Sequence, residues 1–346
     1  MKRIIRNITF PLALLAVAVG FASCDTDVES VDINEPGIEN QNSQLYQSYL
    51  ENLRAYKQSD HKMALAWFDN SAKMPASQGQ SIIAVPDSID YLVLSNPADL
   101  NGRELYEAGQ IRDQKGTKIA YEVNYTAIKN QYDADKQAFE ENADNADKTF
   151  TSFNTYLVDT VSARLASFDR FGYDAIVMTF SAKLKTYMSE TEKQEELALE
   201  NDFLGIAKDW KARHADKDLI LCGNPQYVSD ADVLSAAKLI VIDCTSTTDQ
   251  GSAVYNLSKA AVDGVPTEKF VPMVNLYSAD DTDTKTGYWG TQYAAVGCAR
   301  LVASENSGFK TAGLAIKNIN ADYYHANYTY PVVREAISII NPSVKK

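Results

Sequence analysis

Histidine and cysteine are scarce in this chain, with three His and four Cys in 346 residues. His61, His214 and His325 lie far apart, and no HExxH or paired spacing joins them, so the pattern offers no metal site. Four cysteines do not make a disulfide scaffold. Cys222 and Cys244 end apolar runs and Cys298 sits in a helix-like stretch. None has a metal-ligand spacing, and all three read as small buried residues. Basic charge is also in deficit: 33 Lys+Arg against 46 Asp+Glu leave −13, which excludes the basic face that nucleic acid requires. GxSxG, GxGxxG and P-loop motifs are absent, so neither a hydrolase elbow nor a nucleotide cofactor is indicated, and no cofactor is expected. Internal repeats and low-complexity tracts are absent too. At 45% hydrophobic and 23% charged, the chain is neither disordered nor fibrous.

No apolar run reaches the roughly 20 residues of a membrane-spanning helix. The longest, residues 10–21, follows Lys2, Arg3 and Arg6 and ends in Phe21-Ala22-Ser23-Cys24. A basic start, a short apolar region and small residues describe a secretory signal. The Cys changes the expectation from secreted to anchored, because the segment resembles a bacterial lipobox, in which the Cys is acylated and becomes the mature N-terminus. A plain signal with an incidental Cys24 is the alternative. Asp25, Asp27 and Glu29 resemble the acidic export tags of Bacteroides-type surface lipoproteins. The expectation is an outer-membrane lipoprotein facing the cell exterior, held by lipid on Cys24. Residues 1–23 then form the signal, 24–41 an acidic tether and 42–346 one folded domain. Loss of Lys2, Arg3 and Arg6 with the signal takes the net charge from −13 to −16. An anionic partner is disfavoured, and neutral glycans or glycoproteins carrying them fit better.

Tyr46, Tyr49, Leu50 and Leu53 repeat at helical spacing, so 42–58 is predicted to be an amphipathic helix. Eight short apolar runs follow, at 63–68, 89–94, 118–123, 175–180, 219–222, 239–243, 270–276 and 312–316. They are apolar on both sides, as strands buried on both faces are. Helical stripes lie between most of them. Phe150, Phe153, Leu157, Val161, Leu165 and Phe168 form one. Leu199, Phe203, Ile206 and Trp210 form another, with Trp210 as core, and Val333, Ala336, Ile337 and Ile340 close the chain. Residues 124–149 read as an exposed helix or long connection. Eight such units predict a single-domain (β/α)8 barrel, a fold of about 250 residues; a doubly wound sheet is the alternative.

In a barrel the chemistry sits where the strands end. Those ends carry Trp67-Phe68-Asp69-Asn70, Ser95-Asn96-Pro97, Glu122 with Asn124-Tyr125, Thr179-Phe180-Ser181, Asn224-Pro225-Gln226-Tyr227, Asp243-Cys244-Thr245 and Asn275-Leu276-Tyr277. Aromatic faces cover the C–H side of a sugar ring, and amides and hydroxyls meet its hydroxyl groups. Trp67 reads equally as core or as a stacking platform. Trp289, flanked by glycines in Gly287-Tyr288-Trp289-Gly290, reads as an exposed binding ring. Asp280, Asp281 and Asp283 form an acidic loop, read as solvated rather than as a calcium site.

The fourth strand, Phe171-Gly172-Tyr173-Asp174-Ala175-Ile176-Val177-Met178-Thr179-Phe180-Ser181, resembles the fourth-strand motif of family 18 glycoside hydrolases, the chitinases and endo-β-N-acetylglucosaminidases. The Lys62–Asn70, Pro86–Asp90 and Tyr330–Pro342 stretches are similar to the Bacteroidetes branch of that family. The resemblance spans residues 42–342 and implies the same barrel. In the family motif two Asp and one Glu carry the chemistry, where this chain has Val177, Thr179 and Ser181. The family uses the substrate's acetamido oxygen as nucleophile, an Asp to hold it and a Glu to protonate the leaving group. Ser and Thr supply neither acidity nor charge, and general acid catalysis is worth about 10²–10⁴ in rate.

The resemblance therefore implies a barrel that binds glycans containing N-acetylglucosamine, N-glycans among them, without cutting them, for neighbouring enzymes and glycan-import proteins. Glu122, and more weakly Asp69 or Asp243, could act as a displaced acid in a surviving glycosidase. A structural lipoprotein that no longer binds sugar is the third class. Glycan-binding candidates are Trp67, Asn70, Asn96, Glu122, Asn124, Tyr125, Thr179, Ser181, Asn224, Asp243, Asn275, Tyr277 and Trp289.

Overall fold

The computed structural model describes residues 42–280, 282–305 and 308–342. The signal, Cys24 and the tether lie outside the described residues. Two units divide the chain after Gln47, and the second holds the barrel.

Helix α1, Ser43–Gln58, precedes the first strand and buries Leu50 and Leu53. Eight parallel strands then close on themselves: β1 (Met63–Phe68), β2 (Tyr91–Leu94), β3 (Lys118–Asn124), β4 (Ala175–Phe180), β5 (Asp218–Gly223), β6 (Leu239–Asp243), β7 (Phe270–Asn275) and, after a small hairpin, β10 (Gly313–Lys317). β1 pairs with both β2 and β10, which completes the (β/α)8 barrel. The doubly wound alternative falls with that closure.

Helices α2 (Gly102–Lys115), α3 (Tyr125–Glu141), α4 (Phe153–Phe171), α5 (Glu190–Glu200), α6 (Ile206–Arg213), α7 (Ala231–Ala236), α8 (Gln250–Ala260), α9 (Ala294–Ala303) and α10 (Pro331–Ile340) lie between and after the strands. The stripe through Phe203 and Trp210 runs from α5 through a π turn at Asn201–Gly205 into α6, and Trp210 is core. Residues 125–141 of the polar stretch are helical, as α3, with Ile128 and Tyr132 buried. The connection from β1 to β2 departs from the alternation. It holds two short 3-10 turns, Gln78–Gln80 and Ile82–Ala84, and no α-helix.

Alternating side chains sort the strands into two cores. Inward residues such as Leu65, Val93, Val177, Ile220, Val241, Val271 and Met273 fill the barrel. Outward residues such as Phe68, Leu92, Ile176, Leu221 and Val274 pack on the helices. Polar clamps close the bottom rim. Asn341 accepts from the Lys62 N–H at 3.0 Å and donates to its carbonyl at 2.7 Å, fixing the end of α10 to β1. Asp174 accepts from Ile119 N–H and from Arg112 Nε. Asp90 accepts from Ala64 N–H at 2.7 Å and faces His61 Nε2 at 3.0 Å. The bond to Asp90 raises the His61 pKa against the opposing effects of burial and Lys57.

The rim gives a pH prediction. A histidine whose folded pKa is raised adds stability that is complete below its unfolded value, near 6.5, and is lost as pH rises through the folded value. Thermal melts of wild type and His61→Gln across pH 5.5–8.5 should differ most at the acid end and converge on the alkaline side. A gap constant with pH would show that the imidazole charge contributes nothing.

Candidate functional site

The ends of β1, β3 and β10, the loop after β2 and a residue of α4 line a cavity of about 470 Å³. Trp67, Asn96, Glu122, Asn124, Arg164 and Lys317 contribute to its lining. Glu122 is the hub. Its Oε2 accepts from Trp67 Nε1 at 2.9 Å. Its Oε1 accepts from Thr179 Oγ1 at 2.6 Å and from Asn124 Nδ2 at 3.4 Å. Strand register causes this, because Glu122 pairs with Val177 and Asn124 with Thr179 across β3 and β4. Cys222 lies in the barrel core nearby. Burial pushes its thiol up to about 12, with Glu122 and Asp243 adding to the shift. Cys244 and Cys298 are buried as well, and all three thiols are free.

The motif strand keeps its architectural residues. Gly172 ends α4 at φ 65°, a left-handed turn that glycine adopts without strain. The Tyr173 hydroxyl donates to the Pro97 carbonyl at 2.6 Å. Val177 is sealed inside the barrel, Thr179 is half-buried against Glu122 and Ser181 is exposed. A displaced acid at Glu122 would have both oxygens already engaged. Trp67 Nε1–H can only donate, so Oε2 is committed as an acceptor.

The remaining candidates separate into open and occupied positions. Trp67 is 4% exposed and belongs to the barrel core, although it also lines the cavity. Asn70 is 2% exposed. It is consumed in a clamp: its amide donates to the Asn96 carbonyl and Glu104, and its oxygen accepts from Asn96 N–H. Asn124 also caps α3 by accepting from Ala127 N–H. The Tyr125 ring is packed edge-on among Phe153, Phe180 and Phe203 rather than free for stacking. Asn224 donates to the Ala182 carbonyl at 3.3 Å, and Asn275 stands 3.5 Å from the Thr245 carbonyl. Asp243 is exposed and accepts from Thr245. Asp69 accepts from Ser71 N–H.

The Tyr277 hydroxyl is 2.9 Å from Asp322 Oδ1 and 2.8 Å from His325 Nε2. Burial first, and then Asp322, pushes its pKa up. Asp280 and Asp283 are tied into their own loop by Thr282, Lys285 and Thr286. Those bonds hold both carboxyls below the usual range. Asp281 lies outside the described residues.

Trp289 departs from expectation. Its ring is not an exposed platform but 7% exposed. It belongs to a hairpin, β8 (Tyr288–Trp289) with β9 (Gln292–Tyr293), and lies on α9. A methyl group at Gly297 would come within 2.5 Å of Trp289 Cε3, so that glycine makes room for the indole. The indole N–H donates to Thr247 Oγ1 at 3.1 Å.

Three groups at the mouth escaped the sequence reading. Lys317 shares the inward parity of Gly313 and Ala315, a signal present in the alternation. Arg164 reaches the cavity from α4 and has no such local signature. Tyr187, Tyr324 and Tyr328 are exposed on the loops after β4 and β10, where no periodicity marks them.

The model of glycoside hydrolase family 18, BT1044-like, matches residues 26–339. Among solved structures, a selenomethionine variant of BT1044 is similar at TM-score 0.62 and 16% identity, over 88% of this chain and 95% of that one. The endo-beta-N-acetylglucosaminidase of Cordyceps militaris is similar at TM-score 0.56 and 16% identity, over 85% and 96%. A double mutant of that enzyme in complex with fucosyl-N-acetylglucosamine-Asn gives TM-score 0.55 at 16% identity, over 85% and 95%. At these identities the likeness establishes the fold. No curated protein matches.

The placement of Trp289 predicts the effect of its removal. Trp289→Ala should cost roughly 3–5 kcal/mol of stability, the range for deleting a buried large aromatic. Urea unfolding followed by circular dichroism measures it, and a loss under about 1 kcal/mol would mean that the indole is not packed as described.

Proposed function

The chain belongs to glycoside hydrolase family 18, in its BT1044-like branch, and from that premise we propose that it captures glycans containing N-acetylglucosamine, N-glycans among them, without cleaving them. One observation carries this reading: the three motif positions are Val177, Thr179 and Ser181. Glycosidic cleavage needs a proton for the leaving oxygen and a stabilised oxocarbenium-like centre. Neither an apolar side chain nor a hydroxyl supplies these. The cavity, its amides and the exposed tyrosines of the mouth loops remain suited to sugar hydroxyls and ring faces. The complex of the related endo-beta-N-acetylglucosaminidase with fucosyl-N-acetylglucosamine-Asn supports the choice of ligand. Surface attachment through lipid on Cys24 would let the barrel hold glycans for neighbouring enzymes and import proteins.

A second reading has one observation in its favour. Glu122 stands on the adjoining strand in contact with Thr179, close to where an acid would be wanted. On that reading the protein is a slow endo-acting glycosidase.

Calorimetric titration with N-glycans and chito-oligosaccharides, run beside a sensitive hydrolysis assay, separates the two. We expect heat of binding and no released product. Product that disappears in Glu122→Gln would establish the glycosidase instead, and absence of heat with every glycan would sink the capture reading. For the anchor, Cys24→Ala should move the protein from the membrane to the soluble fraction; retention in the membrane would refute lipidation at that residue.

A further inference from the structure

The hairpin after β7 has two faces. Across β8 and β9, Trp289 opposes Gln292 and Tyr288 opposes Tyr293. Trp289 and Gln292 crowd the space beside Gly297 of α9. Successive side chains on a strand alternate between faces, so Tyr288 and Tyr293 form the face turned away from α9. Their ring centroids are 5.3 Å apart at a tilt of 33°. Tyr293 leads on to the Tyr277 ring at 5.6 Å, and Tyr277 to the His325 ring at 6.4 Å. Tyr277, Tyr288 and Tyr293 are all half-buried. Tyr277 and Tyr293 rest on the core with part of their surface, and the remainder is open.

This row of rings begins beside the cavity. Tyr277 continues the inward parity of Val271, Met273 and Asn275, and Asn275 pairs with Lys317, which lines the cavity. Gly287, at φ 78°, brings the hairpin to the end of β7. A Cβ there would collide with the Leu276 carbonyl carbon and the Tyr277 nitrogen, so the approach requires glycine. The Tyr277 hydroxyl is engaged by the buried Asp322 at 2.9 Å and by His325 at 2.8 Å. What Tyr277 offers a ligand is therefore ring surface more than a hydroxyl.

Uncharged ring faces pack against the C–H faces of pyranoses, and rings spaced by about the length of a sugar residue suit successive residues of one chain. We propose that Tyr277, Tyr293 and Tyr288 form an extended sugar subsite, which takes the residues of a glycan that continue out of the 470 Å³ cavity. The inference rests on the glycan-capture reading of the same mouth and adds the size of the ligand. It is an oligosaccharide long enough to leave the cavity, rather than a mono- or disaccharide.

The test is calorimetric titration with two pairs of glycans: chitobiose against chitohexaose, and the N-glycan core against the intact N-glycan. In a pair that binds, the longer member should bind about tenfold tighter or more. Tyr288→Leu and Tyr293→Leu should each weaken the longer member roughly threefold to tenfold, the range for one aromatic contact, and the shorter member less. Tyr293→Phe keeps the ring and should keep the gain. Melting temperature and near-ultraviolet dichroism check the fold of each variant. In the wild-type protein the longer glycan should also shield Tyr288 from nitration, read by peptide mass; full reactivity in the saturated complex overturns the placement. Equal affinity of short and long members overturns this inference and leaves glycan capture standing. No binding of any of the four overturns both. A gain from length that both leucine variants retain, or that Tyr293→Phe abolishes, overturns the assignment to these ring faces.

Discussion

Closing eight parallel strands leaves an interior that side chains must fill, and the mouth is whatever stands above that filling. The apolar layer includes Leu65, Ala120, Val177, Ile220, Val241, Met273 and Ala315. A carboxylate at position 177 would enter this layer, where its charge must be matched or shed. Valine removes that demand and lets the layer close without a polar gap. One inward position beyond Ala120 and Ala315, the alternation brings Glu122 and Lys317 to the rim. The level at which polar chemistry begins is thus set by the packing beneath it, and Thr179 is the first motif position to stand at that level.

Glu122 then answers a structural need as well as a chemical one. Trp67 is held inside the barrel by its apolar ring, and its indole N–H must find an acceptor there. Glu122 provides it from the third strand, and the Thr179 hydroxyl engages the other oxygen. Removing the carboxylate would leave the Trp67 donor unsatisfied, a cost of about 1–3 kcal/mol. An acid that serves a ligand has to release a proton towards it; an acceptor that serves the core has to stay where it is. The geometry of Glu122 favours the second role, which is why its position beside the motif is weaker support for turnover than its identity alone suggests.

The barrel was legible because strands buried on both faces read as continuous apolar runs, and all eight runs became strands. Their ends were less legible, and the mouth depends on the ends. The second strand begins at Tyr91 rather than 89. The last ends at Lys317 rather than 316, and that one residue brings a lysine into the cavity. Trp289 failed for a different reason. Its burial needs Gly297 and the hairpin with Gln292 and Tyr293, contacts made through tertiary packing that flanking glycines do not reveal. Asn70 reads as a free amide at a strand end, yet it is closed by Asn96 and by Glu104 of a helix more than thirty residues on. Residue types at strand ends point to a polar mouth; only packing decides which of them face it.

Charge is where composition and local structure diverge most. The acidic surplus argues against anionic ligands when it is treated as a property of the whole chain. Much of it resides on helix surfaces, as with Asp133, Glu140 and Glu141 on α3 and Glu190, Glu192 and Glu195 on α5, all exposed. These charges are held among water and counter-ions, and their influence falls off within about a Debye length. Inside the cavity the balance is set by a handful of side chains. There the charged lining is Asp99, Glu122, Arg164 and Lys317, two carboxylates and two cations. Selectivity for the charge of a ligand follows the charged groups within reach of it, so a chain can be strongly acidic overall and still present cations at its mouth.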